Sequence, residues 1–244
     1  MITSDTVKKL ATKHQTSELN IAREYCQHLF LSYLYRQKQS GRILFKGGTA
    51  LRIIYQSPRF SEDLDFSGFG ISLSLIEQFI ENVLLEIERE GIMVEILESK
   101  KTSGGYLSII NFRFSDYVIN IQLEISLRRK NSVEGGGTLI NSDFLPPYVV
   151  LQLPEELLVM EKIQALLTRK KPRDFFDLYF ILRSRIPVPG YYREGHELKR
   201  KILKVLNAEK IDFKRELKLF LPQSHHQVLK NFEVVLKGEI ERYL

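Results

Sequence analysis

Two short motifs near the start of the chain combine residue types that handle phosphate. They are Phe45-Lys46-Gly47-Gly48-Thr49-Ala50-Leu51 and Asp63-Leu64-Asp65-Phe66. Glycines let bare backbone N–H groups approach phosphate oxygens closely, and the flanking Lys46 and Thr49 suit a polyanion. Asp63 and Asp65 stand two positions apart, so an extended strand directs both carboxylates to one face.

Two carboxylates that lie this close repel each other unless a cation lies between them. Hard oxygen ligands of this kind suit Mg²⁺ or Mn²⁺ that is bound together with substrate phosphates. A phosphate-binding loop beside a metal-binding Asp63 and Asp65 pair is the apparatus for transferring a phosphoryl or nucleotidyl group. This pairing predicts an enzyme of that chemistry.

A third carboxylate is available on a later amphipathic strand. Along residues 119–125, apolar residues alternate with Asn120, Gln122 and Glu124, which therefore project from the opposite face. If that face lines a catalytic cleft, Glu124 could bind a second metal ion or take the proton from an attacking hydroxyl. Ordinary solvent exposure on an amphipathic strand explains the same pattern.

Further candidates lie at the junction of two predicted helices. Lys162 and Arg169 are seven residues apart and lie on about the same side of the first helix. Pro172 ends that helix, and Asp174 and Asp177 open the next. A lysine that faces a cleft could hold a β- or γ-phosphate, and a nearby aspartate could orient it. We favour such a role for Lys162 and Asp174, and an Arg–Asp network that fastens two helices for Asp177.

Periodicity divides the chain into an α/β part, residues 1–150, and an all-helical part, residues 151–244. In the first part, helices are predicted at 5–14, 18–39, 49–55 and 72–90, and strands at 42–46, 63–66, 92–97, 106–114 and 118–127. Residues 128–138 are predicted to form a basic loop that ends in three glycines, where Arg128, Arg129 and Lys130 could meet a nucleic-acid backbone. In the second part, helices are predicted at 155–169, 174–184, 196–206, 210–220 and 225–242.

Composition limits the compartment and the partners. With 244 residues, 43% of them hydrophobic, the chain can bury a proper core. It contains no apolar run that could cross a bilayer and no signal-peptide pattern, so we expect a cytoplasmic protein without a membrane partner. The single cysteine, Cys26, predicts a buried thiol in a reducing compartment. Residues 162–244 carry 19 Lys and Arg against 10 Asp and Glu, a net charge of +9, which suggests a polyanionic partner or solvated helix faces.

Five motifs in order make the chain resemble a known family between residues 45 and 180. They are Lys46-Gly47-Gly48-Thr49-Ala50-Leu51, Arg59-Phe60-Ser61-Glu62-Asp63-Leu64-Asp65-Phe66, Leu123-Glu124-Ile125-Ser126, Glu161-Lys162-Ile163-Gln164-Ala165-Leu166 and Arg173-Asp174-Phe175-Phe176-Asp177-Leu178-Tyr179. The chain resembles the AbiEii/MenT-like nucleotidyltransferase toxins of the DNA polymerase β-type nucleotidyltransferase superfamily. Residues beyond 180 match none of the family's motifs.

The resemblance implies a fold and an activity. The fold is α/β, a polymerase β-like nucleotidyltransferase lobe with a mixed sheet, joined to an all-helical C-terminal lobe. The activity is Mg²⁺-assisted transfer of a nucleotide from an NTP to an acceptor, which for some members is the 3′ end of tRNA. Family members are toxins paired with an antitoxin protein, and some protect bacteria against phage.

The resemblance also implies which residues bind the nucleotide. Gly47, Gly48 and Thr49 would contact the triphosphate. Lys46 and Ser61 would frame that loop. These five residues form the implied nucleotide-binding set.

Five further residues are implied to be catalytic. Asp63 and Asp65 would hold the metal ion. Glu124 would stand where the superfamily often has a third metal-binding acid, although that acid is more usually an aspartate. Lys162 and Asp174 would match the lysine and aspartate of the family's helical lobe.

Other functions remain open at this stage. The same chemistry could modify a protein or a small molecule, or transfer the γ-phosphoryl group. A non-catalytic member could bind nucleotide, nucleic acid or an antitoxin, although an intact Asp63 and Asp65 pair argues against that reading. The basic C-terminal third favours an RNA acceptor.

Overall fold

The computed structural model of the chain describes residues 1–128, 132–190, 197–208 and 211–244. The chain divides into two compact units. The first unit comprises Met1–Gln56 and Phe60–Leu153, and the second comprises Ser57–Arg59 and Pro154–Leu244. Ser57–Arg59 therefore belongs to the second unit, although the chain on both sides of it belongs to the first.

The first unit is built on a mixed β-sheet. Its strands are β1 (Ile43–Lys46), β2 (Leu64–Phe69), β3 (Met93–Thr102), β4 (Gly105–Phe114), β5 (Tyr117–Arg128), β6 (Gly136–Ile140) and β7 (Tyr148–Gln152). Across the described residues the strand order is β3-β4-β5-β2-β1-β7-β6. β1 runs antiparallel to β2 and parallel to β7, and β2 runs parallel to β5. The mixed sheet confirms the predicted fold class.

Four helices described in this unit are α1 (Ser4–Lys13), α2 (Glu18–Leu34), α3 (Gly47–Ile53) and α4 (Leu73–Arg89). Side chains of Thr3, Ser17 and Ser72 cap α1, α2 and α4 by accepting from backbone N–H groups of the first turn. α2 is buried along most of its length, whereas α4 buries one apolar stripe. The predicted periodicity therefore identified the helices that cover the sheet.

The second unit is helical. Its described helices are α5 (Glu155–Arg169), α6 (Pro172–Arg183), α7 (Glu197–Ala208), α8 (Phe213–Phe220) and α9 (Phe232–Tyr243). Phe232 is the centre of an aromatic core, with ring centroids 4.9 Å from Phe213 and 5.9 Å from Phe176. None of the helices in the described ranges has the length and apolar content that a bilayer crossing requires.

Two local predictions were wrong: the loop at residues 128–138 and the unbroken helix at 225–242. Gly136 and Gly137 do not lie in a loop, because they begin β6, which pairs with β7 at the sheet edge. Neither strand was predicted. The glycines of β6 carry no side chains that could alternate, and the short apolar run of β7 does not by itself distinguish a strand from a buried helix segment. The predicted helix at 225–242 is interrupted: short 3-10 segments precede α9. Arg128 ends β5, while Arg129 and Lys130 lie outside the described residues.

His28 lies in the core of the first unit, on α2. Its Nδ1 atom lies 2.6 Å from the hydroxyl oxygen of Tyr148, with which it forms a hydrogen bond. Burial, with a smaller contribution from the nearby positive charge of Arg52, lowers the pKa of the imidazole from 6.5 to about 3. The folded chain therefore keeps His28 neutral at pH values where the unfolded chain protonates it.

Acidification should destabilise the protein through His28. Between these two pKa values the unfolded state binds more protons, so the free energy of unfolding falls as the pH falls. One such proton corresponds to about 1.4 kcal/mol per pH unit. Urea unfolding between about pH 4 and 6 should show a shallower pH dependence for His28→Phe than for wild type. His225→Phe, at an exposed position, controls for the loss of a histidine, and equal slopes for His28→Phe and wild type would contradict this account.

Candidate active site

The packing of two phenylalanines decides which way the predicted polar residues point. Phe45 and Phe66 are fully buried, with ring centroids 5.5 Å apart. Successive strand residues face opposite sides of a sheet, so Lys46 and Asp65 face away from this core. The antiparallel register places Lys46 directly opposite Asp65. The sheet thus brings the lysine of the first motif and an aspartate of the second together.

A third strand continues this row. β2 and β5 run parallel, and their register pairs Asp65 with Glu124. Side chains paired across neighbouring strands share a face, with Cβ atoms about 5 Å apart. Lys46, Asp65 and Glu124 therefore form a row, which we call the carboxylate row, across β1, β2 and β5. Lys46 is buried, Asp65 is half-buried and Glu124 is exposed, so the row opens toward solvent at Glu124.

Asp65 rests against the backbone of Gly47. The φ angle of Gly47 is +85°, in the left-handed region that favours glycine. A Cβ atom added there would lie 2.1 Å from Oδ2 and 2.7 Å from Cγ of Asp65. Only glycine allows the carboxylate to lie this close to the start of α3. The glycine pair was expected to let phosphate oxygens approach the backbone closely. In the structure, the carboxylate of Asp65 makes such a close approach to Gly47.

Asp63 lies just before β2, in a segment held by its backbone. The Thr49 hydroxyl donates to the carbonyl oxygen of Asp63. The Gln27 side-chain amide donates to the carbonyl oxygens of Ser61, at 3.0 Å, and Glu62, at 3.1 Å. Thr49 is fully buried and so holds the Asp63 segment in place. The contacts of Thr49 and Ser61 with a nucleotide stay predictions.

Two serines for which no role was predicted complete the polar face. Ser67 and Ser126 are paired in the parallel register of β2 and β5. Lys46 Nζ donates to Ser126 Oγ at 3.2 Å, and Arg128 Nε donates to Ser67 Oγ at 3.1 Å. Ser126 therefore holds Lys46 within the carboxylate row, and Ser67 holds Arg128 on the same side of the sheet.

The donor set suits a hard divalent cation that binds jointly with phosphate. Within the described ranges, no group of three or more His, Cys, Asp or Glu side chains is arranged to hold a metal ion. Mg²⁺ in phosphate-transfer sites needs only one or two carboxylates, because water and phosphate oxygens complete its shell. Asp65 is fixed against Gly47, and Asp63 and Glu124 supply further oxygen donors. These residues fit a cation that arrives with a nucleotide.

Lys162, on α5 of the second unit, belongs to a buried ion network with Arg59 and Asp177. Lys162 Nζ donates to Asp177 Oδ2 at 2.8 Å. Arg59 donates from Nε to Oδ1 at 2.9 Å and from Nη2 to Oδ2 at 3.0 Å. Arg59 is 4% exposed, Asp177 1% and Lys162 9%. The ion partner of Lys162 is thus Asp177, for which the sequence favoured a structural role.

Asp177 is ionised despite its burial. Burial raises the pKa of its carboxyl group, but the charges of Arg59 and Lys162 outweigh that effect and hold the pKa below its usual range. No role was predicted for Arg59, which lies 118 positions before Asp177. The only signal for Arg59 was its place at the start of the motif that contains Asp63 and Asp65.

Asp174 stabilises a helix start. It is 1% exposed, and its Oδ2 accepts from the backbone N–H of Lys171 at 3.3 Å. Its Oδ1 accepts from Arg169 Nη2 at 2.7 Å. A carboxylate in the first turn of a helix satisfies a backbone donor and complements the helix dipole. These contacts orient Arg169 and begin α6, and a catalytic role for Asp174 stays a prediction.

Comparisons with known proteins identify a family for the chain and similar folds. The chain matches the family model described as nucleotidyl transferase AbiEii toxin, type IV TA system, over residues 29–231. Its fold is similar to that of JHP933 from Helicobacter pylori, with a TM-score of 0.64, 19% identity and 93% of each chain covered. It is also similar to a candidate nucleotidyltransferase from H. pylori, with a TM-score of 0.61, 19% identity, and 93% and 95% of the two chains covered. No curated protein matches the chain.

Replacing Gly47 with alanine should displace Asp65. The loss of unfolding free energy should therefore exceed the usual cost of an alanine with a left-handed backbone. Gly91 is the matched control, because its φ is also +85° but an added Cβ would meet nothing within 4 Å. We expect Gly91→Ala to cost about 1–2 kcal/mol of unfolding free energy, and Gly47→Ala to cost more. Asp65→Ala removes two of the three closest contacts, so it should couple with Gly47→Ala by about 0.5–3 kcal/mol in a double-mutant cycle. If the two substitutions lowered the free energy of unfolding additively, the close contact between Gly47 and Asp65 would be contradicted.

Proposed function

The chain belongs to the AbiEii family of nucleotidyl transferase toxins, and on that premise we propose that it transfers a nucleotide from an NTP to RNA, with the 3′ end of tRNA as the acceptor. The observation that carries the proposal is the carboxylate row beside the glycine turn at Gly47. The family is one of type IV toxin–antitoxin systems, so a cognate antitoxin is the protein partner that it implies.

Binding of the triphosphate uses positive charge and exposed backbone. Lys46 lies at the entrance to α3, whose first backbone N–H groups have no partner within the helix and can face phosphate oxygens. We assign Lys162 to a terminal phosphate, because it is the lysine that the family resemblance implies for the helical lobe, and because its partner Asp177 also faces Arg59 and therefore does not neutralise it alone. Asp174 positions Arg169 and the start of α6 and thereby supports the same helices.

Two carboxylates would hold the metal ion. When bound, Mg²⁺ neutralises charge on the triphosphate and on the leaving group, and Asp63 and Asp65 are the residues that would hold it. The fixed position of Asp65 against Gly47 supports this assignment. The backbone contacts of the Asp63 segment with Thr49 and Gln27 limit the movement of the second carboxylate.

Transfer is an in-line displacement at the α-phosphorus. The acceptor hydroxyl oxygen forms a bond to the α-phosphorus while the bond from that phosphorus to the bridging oxygen of the β-phosphate breaks, and pyrophosphate leaves. Glu124 takes the proton of the hydroxyl. Its exposure and its register position next to Asp65 support this role.

Exposed cations of the second unit support RNA as the acceptor class. α8 carries Lys214, Arg215 and Lys218 on its exposed side. Cationic side chains bind nucleic acid by displacing counterions from its phosphates, and this attraction needs no particular base sequence. An RNA acceptor would use this surface, whereas a small-molecule acceptor would not need it.

Removing the Asp65 carboxylate should abolish transfer and leave the fold intact. We expect Asp65→Asn to lower the rate at least about 100-fold, because it removes electrostatic stabilisation and no core packing. Purified protein, Mg²⁺ and total tRNA would be incubated with each NTP, radiolabelled at the α-phosphate. Asp116→Asn, at an exposed turn of the same sheet, is the matched control.

The destination of the label decides between acceptors. Label in RNA with wild type and Asp116→Asn, but not with Asp65→Asn, supports the proposal. Label on protein would replace it with protein nucleotidylation, and transfer only from γ-labelled NTP would replace it with phosphoryl transfer. Equal labelling by wild type and Asp65→Asn would overturn the assigned site.

Charge reversal on α8 should weaken RNA binding and its dependence on salt. Lys214→Glu combined with Lys218→Glu removes up to two phosphate contacts, so the slope of log affinity against log salt should fall by about 1–2. Filter binding of tRNA without NTP measures this slope. Lys8→Glu combined with Lys9→Glu changes the charge equally on exposed positions of α1 and should leave the slope unchanged. Identical slopes for the two double variants would remove α8 from the RNA surface.

A further inference from the structure

Arg59 is a buried arginine to which the transfer reaction assigns no role. It lies four residues before Asp63 in the sequence, yet the Ser57–Arg59 segment belongs to the helical unit. Its guanidinium group is buried against Asp177. Burying a charged side chain is costly unless good geometry compensates for it. Arg59 therefore does more than connect two parts of the chain.

Arg59 fixes the plane of the Asp177 carboxylate. The guanidinium is a rigid planar fork, and it contacts both carboxylate oxygens of Asp177. Lys162 contacts Oδ2 alone, from the end of a flexible four-carbon chain. A single contact of that kind leaves the carboxylate free to turn. The direction in which Asp177 holds Lys162 is therefore set by Arg59.

Arg59 also changes how much of the Lys162 charge is neutralised. Asp177 carries one negative charge, which faces two cations in a buried place where charges interact strongly. When both cations are present, they share that charge. If Arg59 were absent, Lys162 would be paired with Asp177 alone and would attract a phosphate less strongly.

We propose that Arg59 is a positioning residue for nucleotide binding: it acts through Asp177, keeps Lys162 oriented and incompletely neutralised, and touches no substrate itself. This inference rests on the proposed function, since it takes Lys162 as the group that binds an NTP phosphate. A purely structural role, in which Arg59 only fastens its segment to α6, makes a different prediction for NTP affinity.

The test measures NTP affinity in a double-mutant cycle. Binding of ATP, CTP, GTP and UTP in the presence of Mg²⁺ would be titrated calorimetrically for wild type, Arg59→Ala, Lys162→Ala and the double variant. We expect Arg59→Ala to weaken binding of the preferred NTP about 10-fold or more, the range for a lost charge-assisted contact. In the Lys162→Ala background it should add nothing, because Arg59 acts only through Lys162. KM for the NTP should rise more than kcat falls.

Two further variants keep the test decisive if Arg59→Ala folds poorly. Arg59→Lys keeps the charge but lacks the fork, so its NTP affinity should lie between those of wild type and Lys162→Ala. Arg52→Ala is the matched control, because Arg52 makes a comparable two-pronged contact with Glu24 in the first unit, at 2.9 and 3.2 Å. It should lower thermal stability and leave NTP affinity unchanged.

The outcomes separate this inference from the function on which it rests. Additive losses of NTP affinity from Arg59→Ala and Lys162→Ala would overturn the positioning role, as would wild-type affinity in Arg59→Ala and Arg59→Lys. In either case wild-type transfer of label to RNA would leave the proposed function standing. Wild-type protein that transfers label to no acceptor would overturn the proposed function itself.

Discussion

The antiparallel register of β1 and β2 is the constraint on which the site depends. Phe45 and Phe66 fill the core on one side of the sheet, and this burial fixes Lys46 and Asp65 on the other. A slip of one residue would exchange the faces, exposing two phenylalanines and burying an ammonium and a carboxylate. The hydrophobic free energy that folds the sheet therefore also aligns its polar face. The parallel pairing of β2 with β5 then places Glu124 in the same row. The strand register alone sets this position, and no side-chain contact of Glu124 is needed for it.

Charges are used in two different ways in the two units. The carboxylate row lies on a sheet face that is increasingly exposed toward Glu124, so Glu124 can exchange water for a ligand. The network of Arg59, Asp177 and Lys162 is buried, and its members take one another as partners. An exposed carboxylate is solvated by water and needs no ionic partner, whereas a buried carboxylate loses that solvation free energy and must be paired. The first arrangement suits binding and chemistry, and the second suits holding a side chain in one orientation.

The glycine motif illustrates how one residue serves two purposes. The sequence indicated a glycine where backbone has to come close to phosphate. In the structure, the missing side chain of Gly47 makes room for Asp65, and the left-handed φ lets α3 begin directly after β1. The same absence of a Cβ thus sets the position of a carboxylate and the start of a helix. Thr49 adds a further link, because its hydroxyl holds the backbone just before β2.

The sequence by itself determined the fold class, most of the helices, the three-stranded meander and the residue types of the site, because periodicity and motif spacing are local properties. It did not reveal β6, whose glycine-rich run shows no alternation, or β7, whose short apolar run could belong to a strand or a helix until its pairing is known. Nor did it show that Lys162 pairs with Asp177 while Asp174 begins a helix, since both aspartates satisfy the same local pattern. Arg59 and Asp177 meet across 118 positions. Only the tertiary structure decided that contact, because the cost of burying a charge selects its partner in space and not along the chain.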